Sequence, residues 1–269
     1  MSDIPRPAID PTTAPAMDAA ARPLFDSPAL PAIDSAVPPA MDGATLPLSR
    51  ERARTIAGAF LPTRRFGSRW DYHYIRSKLR SDPLYPGICA ALRGSTAPLL
   101  DLGCGLGLLA HALRDDGIAL AYRGVDNDAG KIARASAAAA RRQLSDVAFE
   151  TVDLAHGLPA HRGSVALLDV LQFLAPDAQA RTLDAAIAML TPGARLVIRT
   201  GLDERGGRAR LTRAVDVLSR VLGWMNAGPT RYPNEAALRA RFAAAGLQAQ
   251  FTPLSGNTPF NNWRVVVTK

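Results

Sequence analysis

The stretch Pro98-Leu99-Leu100-Asp101-Leu102-Gly103-Cys104-Gly105-Leu106-Gly107-Leu108-Leu109-Ala110 decides the fold. Pro98–Leu102 is a short apolar run that reads as a strand, and Leu106–Leu113 reads as a helix. Between them lies a glycine-rich loop, and glycine lets a ligand approach bare backbone. By itself such a loop is also compatible with a tight turn that binds nothing. Its spacing is G-x-G-x-G, with Leu108 where a dinucleotide fingerprint requires Gly or Ala. The following helix is therefore less obviously shaped for a pyrophosphate. Asp101 points the same way, because a carboxylate there repels a pyrophosphate and suits a cationic amino-acid end.

Working outward, strands and helices alternate. Ala121–Val125 reads as a strand, Ala129–Gln143 as an Ala-rich helix and Val147–Val152 as a strand of alternating character. Val165–Val170 is an apolar strand, Ala178–Leu190 a helix, and Ala194–Thr200 a strand opened by the turn Thr191-Pro192-Gly193. Leu211–Leu222 and Glu235–Ala244 follow as helices, then Leu247–Pro253 and Asn262–Thr268 as strands. This order predicts an α/β fold with a mostly parallel sheet covered on both faces. The short final connection predicts an antiparallel last strand. In such a sheet the loop at Gly103–Gly107 lies at the carboxyl edge, where open α/β folds bind ligands. Asp126 ends the second strand about twenty residues after the loop, a position suited to ribose hydroxyls. Asp153 ends the third strand, suited to an adenine amine, with a surface turn as the alternative.

The motifs LLDLGCGLGLLA, GVDND, Asp153 and LLDVLQFL followed by LTPGARLVI resemble those of class I S-adenosylmethionine (SAM)-dependent methyltransferases, over roughly Tyr72 to Lys269. The resemblance implies a Rossmann-like, seven-stranded sheet with a C-terminal antiparallel hairpin, and SAM as cofactor. It places the methionine end at Asp101, Gly103, Cys104, Gly105 and Gly107, and near Asp169. It puts the ribose at Asp126 and the adenine beside Asn127, Asp153 and Leu154. More loosely, Lys78-Leu79-Arg80-Ser81-Asp82-Pro83-Leu84-Tyr85, the run after Thr200 and Gly256–Asn262 are similar to methyltransferases associated with aryl polyene and polyketide biosynthesis.

A sulfonium methyl is already activated, so positioning dominates the chemistry. An oxygen acceptor also calls for a base, and candidates are few. His111 reads as packing, His156 and His161 as solvated. His73 reads either as a cap on the ligand site or as an ordinary helix residue. Relatives of this kind often carry His where Gln172 stands; Gln is no base near neutral pH and would instead orient the acceptor. Tyr74, Lys78, Arg199, Phe260 and Asn261 are expected at the acceptor. Arg199, Arg205 and Arg208 read either as ligands for a carboxylate or phosphate or as solvated arginines. No metal-binding pattern is present.

The chain divides into three parts: a tail over 1–48, an N-terminal helical lid over 49–95 and a SAM-binding domain over 96–269. The tail repeats a Pro-x-x-Asp unit every eight residues, from Pro7-Ala8-Ile9-Asp10 to Pro39-Ala40-Met41-Asp42. A proline in every unit blocks helix and sheet ladder, and one large apolar residue per unit does not offset the ordering entropy, so the tail reads as disordered. It is either a low-complexity extension or a set of weak docking contacts for a partner protein.

The formal net charge of +8 raises a nucleic-acid partner, but abundant Arg and Ala give a compositional explanation, and nucleic acid is disfavoured without being removed. No run reaches the ~18–20 apolar residues of a membrane span, no signal peptide is evident, and two cysteines match no zinc spacing. These features predict a cytoplasmic protein. The leading function is SAM-dependent methyl transfer to a small molecule, with an aromatic or polyketide-like acid as the acceptor. An RNA methyltransferase and a SAM-binding scaffold without turnover are the alternatives.

Overall fold

The computed structural model describes residues 46–64, 66–202, 231–254 and 262–269. The repeat tail, the expected helix at Leu211–Leu222, Arg205, Arg208, Phe260 and Asn261 lie outside the described residues.

Three helices come first: α1 (Arg50–Gly58), α2 (Trp70–Ser81) and α3 (Leu84–Leu92). The alternating part follows as β1 (Leu99–Leu102), α4 (Leu108–Asp115), β2 (Tyr122–Asp126), α5 (Ala129–Arg141), β3 (Val147–Thr151), β4 (Ser164–Leu168), α6 (Pro176–Met189) and β5 (Arg195–Gly201). The chain closes with α7 (Glu235–Ala244), β6 (Gln248–Pro253) and β7 (Asn262–Thr268). Helix starts follow local chemistry. Asp128 caps α5 by accepting from the Lys131 N–H at 3.0 Å, and Asn234 caps α7 through the Ala237 N–H at 3.1 Å. At α4 the capping position is Gly107, in the left-handed region at φ 68°, with no side-chain cap.

The seven strands form one sheet in the order β3-β2-β1-β4-β5-β7-β6. All neighbours are parallel except β7, which runs antiparallel to both β5 and β6. The α/β, Rossmann-like architecture with a C-terminal antiparallel hairpin is thus the one expected. The hairpin is threaded so that its last strand sits inside the sheet and β6 forms the edge.

Strand alternation sends side chains to two cores. Leu99, Ala166 and Val197 join residues of α1, α2, α3 and α4 on one face. Leu100, Leu102, Leu167 and Ile198 join α6 and α7 on the other. The first three helices therefore share a continuous core with the sheet. Asp101, two residues from Leu99, falls on the first face, under α2 and α3. Among the described residues no helix is long and apolar enough to cross a membrane.

Candidate functional site

The loop after β1 is held by backbone and glycine chemistry. The Gly103 and Cys104 N–H groups both donate to the Val125 carbonyl, at 2.8 and 2.9 Å. Gly103 has φ +76°, and a Cβ there would sit 2.5 Å from Val170 Cγ2. Gly107 has φ +68°, and its Cβ would meet the Phe149 ring at 2.4 Å. Gly105 also has positive φ, but a Cβ there would meet no atom within 4 Å. Two of the three glycines are thus required by packing, and the middle one borders open space.

That space is a cavity of about 430 Å³. Its floor is Asp101, Gly103, Cys104 and Gly105, its far wall Leu168 and Asp169, and its near wall Trp70, Tyr74 and Lys78 of α2. Tyr85 of α3 and Lys131 and Arg134 of α5 also line it. The Trp70 and Tyr74 rings stack with centroids 5.0 Å apart and 9° between planes. At the mouth Arg134 pairs with Asp71 at 3.4 Å.

Asp101 is 2% exposed. Its Oδ2 accepts from the Tyr122 hydroxyl at 2.6 Å, while Oδ1 is buried with no hydrogen-bond partner. Burial pushes the carboxyl up to about 7, against the opposing effect of the Tyr122 hydrogen bond. Asp126, also buried, accepts from the Gly105 N–H at 2.9 Å and from the Asp128 N–H at 3.0 Å, tying the end of β2 to the loop. Burial also pushes the Cys104 thiol strongly up, so it stays protonated.

The opposite wall is an ion cluster. Buried Arg199 pairs with Asp82 at 3.1 Å and with Asp169. Lys78 lies 3.6 Å from Asp82 and 3.9 Å from Asp169. Burial opposes the Arg199 charge, and Asp169 and Asp82 outweigh it. For Lys78 burial is likewise outweighed by its neighbours, the Asp82 carboxylate among them, which hold it as an ammonium. Asp169 occupies the left-handed region at φ 62°, which Asp tolerates better than most residues, and its N–H donates to the Arg199 carbonyl at 2.9 Å.

Of the residues expected from sequence, the structure brings Asp101, Gly103, Cys104, Gly105, Asp169, Tyr74 and Lys78 into the lining of one cavity. Gly107 and Asp126 shape the loop beneath it. The other described ones do not line it directly. His73 is exposed, edge-on to Tyr72. Gln172 is buried and accepts from the Thr200 hydroxyl at 3.4 Å. Arg199 is occupied by carboxylates rather than open to an acceptor. Asn127 is exposed. Asp153 is exposed and closes its own turn, accepting from the Ala155 N–H at 2.9 Å and contacting His156 Nδ1 at 2.9 Å; Leu154 is half-buried beside it. Sequence reading missed Tyr122, Asp82 and Tyr85 as parts of the site. The aromatic and basic richness of Trp70–Tyr85 was a signal for the last two, whereas nothing local marks Tyr122.

Residues 99–193 match a family described as a methyltransferase domain. Over those residues the chain carries a methyltransferase domain. No curated protein sequence matches the chain. Among solved structures, an O-methyltransferase family protein from Burkholderia thailandensis is 21% identical, with TM-score 0.53 over 68% of this chain and 52% of that one. A Synechocystis magnesium protoporphyrin IX methyltransferase with bound SAH is 20% identical, with TM-score 0.54 over 81% of this chain and 94% of that one. Mitomycin 7-O-methyltransferase is 22% identical, with TM-score 0.52 over 68% and 52% of the two chains. This chain thus spans about half the length of two of these three proteins. Identities this low establish the shared fold, and the methyltransferase domain supplies the frame in which the cavity is read.

Proposed function

We propose that the cavity binds SAM and that the protein transfers its methyl group to a small-molecule acceptor. The observation that carries this reading is the buried, partnerless Asp101 Oδ1 on a floor of bare glycine backbone. A buried carboxylate oxygen without a partner is costly, and the ammonium of a methionine end satisfies it. The uncapped start of α4 suits the carboxylate of the same end through its free N–H groups and helix dipole. Asp126 would take the ribose hydroxyls, with Asn127, Asp153 and Leu154 beside the adenine. Bound SAM supplies an activated methyl on a sulfonium.

The wall chemistry narrows the acceptor. Lys78 is held as an ammonium, and burial raises the Tyr85 phenol well above its ordinary value. Neither is a base near neutral pH, Gln172 is none at any pH, and Asp101 is committed to the cofactor. An acceptor that brings its own ionised nucleophile, such as an acidic phenol, enol or carboxylate, fits this wall. The stacked Trp70–Tyr74 pair beside Lys78 supports a flat aromatic or polyketide-like acid. N-terminal segment 49–95 acts as the lid that keeps water from the transfer, because α2 supplies one wall.

Calorimetric titration with SAH tests the cofactor reading. Wild type binds, and Gly103→Val, which adds strain and a collision with Val170, abolishes binding; equal affinity of the two would sink the placement. Comparison of metabolites from a deletion strain and its parent then identifies the acceptor as a compound lacking one methyl group. Absence of any methylated product alongside firm SAH binding would favour a scaffold without turnover.

A further inference from the structure

Asp101 and Tyr122 lie on adjacent parallel strands. Leu99 is in register with Tyr122 and Asp101 with Gly124, so all four positions share one face of the sheet. Because Gly124 has no side chain, the phenol of Tyr122 reaches past it to Asp101. Tyr122 is 3% exposed, and its ring is braced edge-on by Phe149 at 5.7 Å. Phe149 is itself wedged against Gly107 and Gly124. The hydroxyl position is therefore set by the same packing that shapes the glycine loop.

The groups facing Asp101 are Tyr122 and Asp126 from β2 and Cys104 from the loop, and Tyr85 of α3 lies beside Tyr122. Lys78, Lys131 and Asp169 stand around the rest of the cavity. Among the described residues no Lys, Arg or His bonds Asp101. Its one protein partner is a neutral donor on Oδ2, and Oδ1 is left free.

We propose that Tyr122 is a positioning residue for the cofactor's amino-acid end: its phenol fixes one oxygen of Asp101 and leaves the other as acceptor for a cationic amine. The inference rests on the placement of the methionine end against Asp101 proposed above. A donated O–H also favours the carboxylate over the carboxylic acid, so Tyr122 keeps Asp101 ionised at a lower pH than burial alone allows.

The test compares two probes, SAH and 5′-methylthioadenosine, which lacks the amino-acid end, on wild type and Tyr122→Phe between pH 6 and 9. Wild-type affinity for SAH rises with pH through a midpoint near the Asp101 value of about 7. In Tyr122→Phe that midpoint moves up, SAH weakens about tenfold or more near pH 7, and 5′-methylthioadenosine is unaffected. Equal losses for both probes would reveal a merely structural tyrosine and overturn the proposal, as would no loss for either. Failure of wild type to bind either probe would instead overturn the cofactor reading on which it rests. If the Phe variant does not fold, 3-fluorotyrosine labelling of wild type makes the phenol a stronger donor. The SAH midpoint then moves down, and an unmoved midpoint overturns the proposal.

Discussion

The two sides of the cavity carry carboxylates in opposite circumstances. On the β1–β2 side Asp101 is buried beside a neutral phenol and another carboxylate, with one oxygen unpartnered. On the β4–β5 side Asp169 and Asp82 share Arg199 and Lys78. Burial raises the Asp101 carboxyl to about 7. For Asp82 burial works in the same direction, but Arg199 and Lys78 outweigh it and hold the carboxyl below its ordinary value. The difference teaches where a cation is still needed. One side is electrostatically complete and joins α2 to the sheet; the other keeps a buried carboxylate oxygen without a partner, which the proposed cofactor's ammonium would satisfy.

The contrast is broken most severely at Arg199. Arg199→Met leaves Asp82 and Asp169 without their guanidinium, and such an uncompensated buried charge costs about 3–5 kcal/mol. Thermal unfolding at neutral pH should register that loss. The deficit should shrink as pH falls below the ordinary carboxylate range, since Asp82, with its depressed pKa, contributes stability above that range and loses it below. An unchanged melting temperature would show that the cluster is not what holds this wall.

Asp101→Asn acts on the other side and with the opposite sign. In wild type the folded-state pKa of Asp101 lies above its unfolded value, so its contribution to stability is fully present below about pH 4 and is lost as pH rises toward about 7. The Asn variant should flatten that loss, on the order of a few kcal/mol, while weakening SAH about tenfold or more. A variant that loses stability at pH 8 and keeps SAH would reverse the assignment of the two sides.

The smallest effect is expected at the rim. The Arg134–Asp71 pair is partly solvated, and pairs of that kind are worth about 0–1 kcal/mol. Arg134→Ala should therefore leave the unfolding midpoint and SAH affinity nearly unchanged. A large drop in affinity with stability intact would sharpen the comparison by adding the cavity mouth to the cofactor site.

Much of the fold was legible because its signals are local. The expected helix Glu235–Ala244 coincides with α7, which Asn234 caps, and the expected strand Asn262–Thr268 coincides with β7. The Gly103–Gly107 loop was legible because positive φ and close packing select glycine. Asp153 was read as ending a strand, whereas β3 stops at Thr151, and its exposure and closed Asx turn depend on the path of the chain after β3. Arg199 was read either as an acceptor ligand or as a solvated arginine, and the structure buries it between two carboxylates; residue type and position along a strand carry no information about which opposite charges fold against it.

The sequence by itself determined the alternation of strands and helices, the glycine loop with its preceding acid, and the antiparallel last strand, since periodicity, glycine dihedrals and connection length act within a few residues. Tertiary structure alone decided that β7 lies between β5 and β6, that Tyr122 holds Asp101, and that Arg199 joins Asp82 to Asp169. Each of these is a contact between segments far apart in the chain. It is set by which apolar faces bury together, and the charged groups carried along take the partners that burial brings within reach.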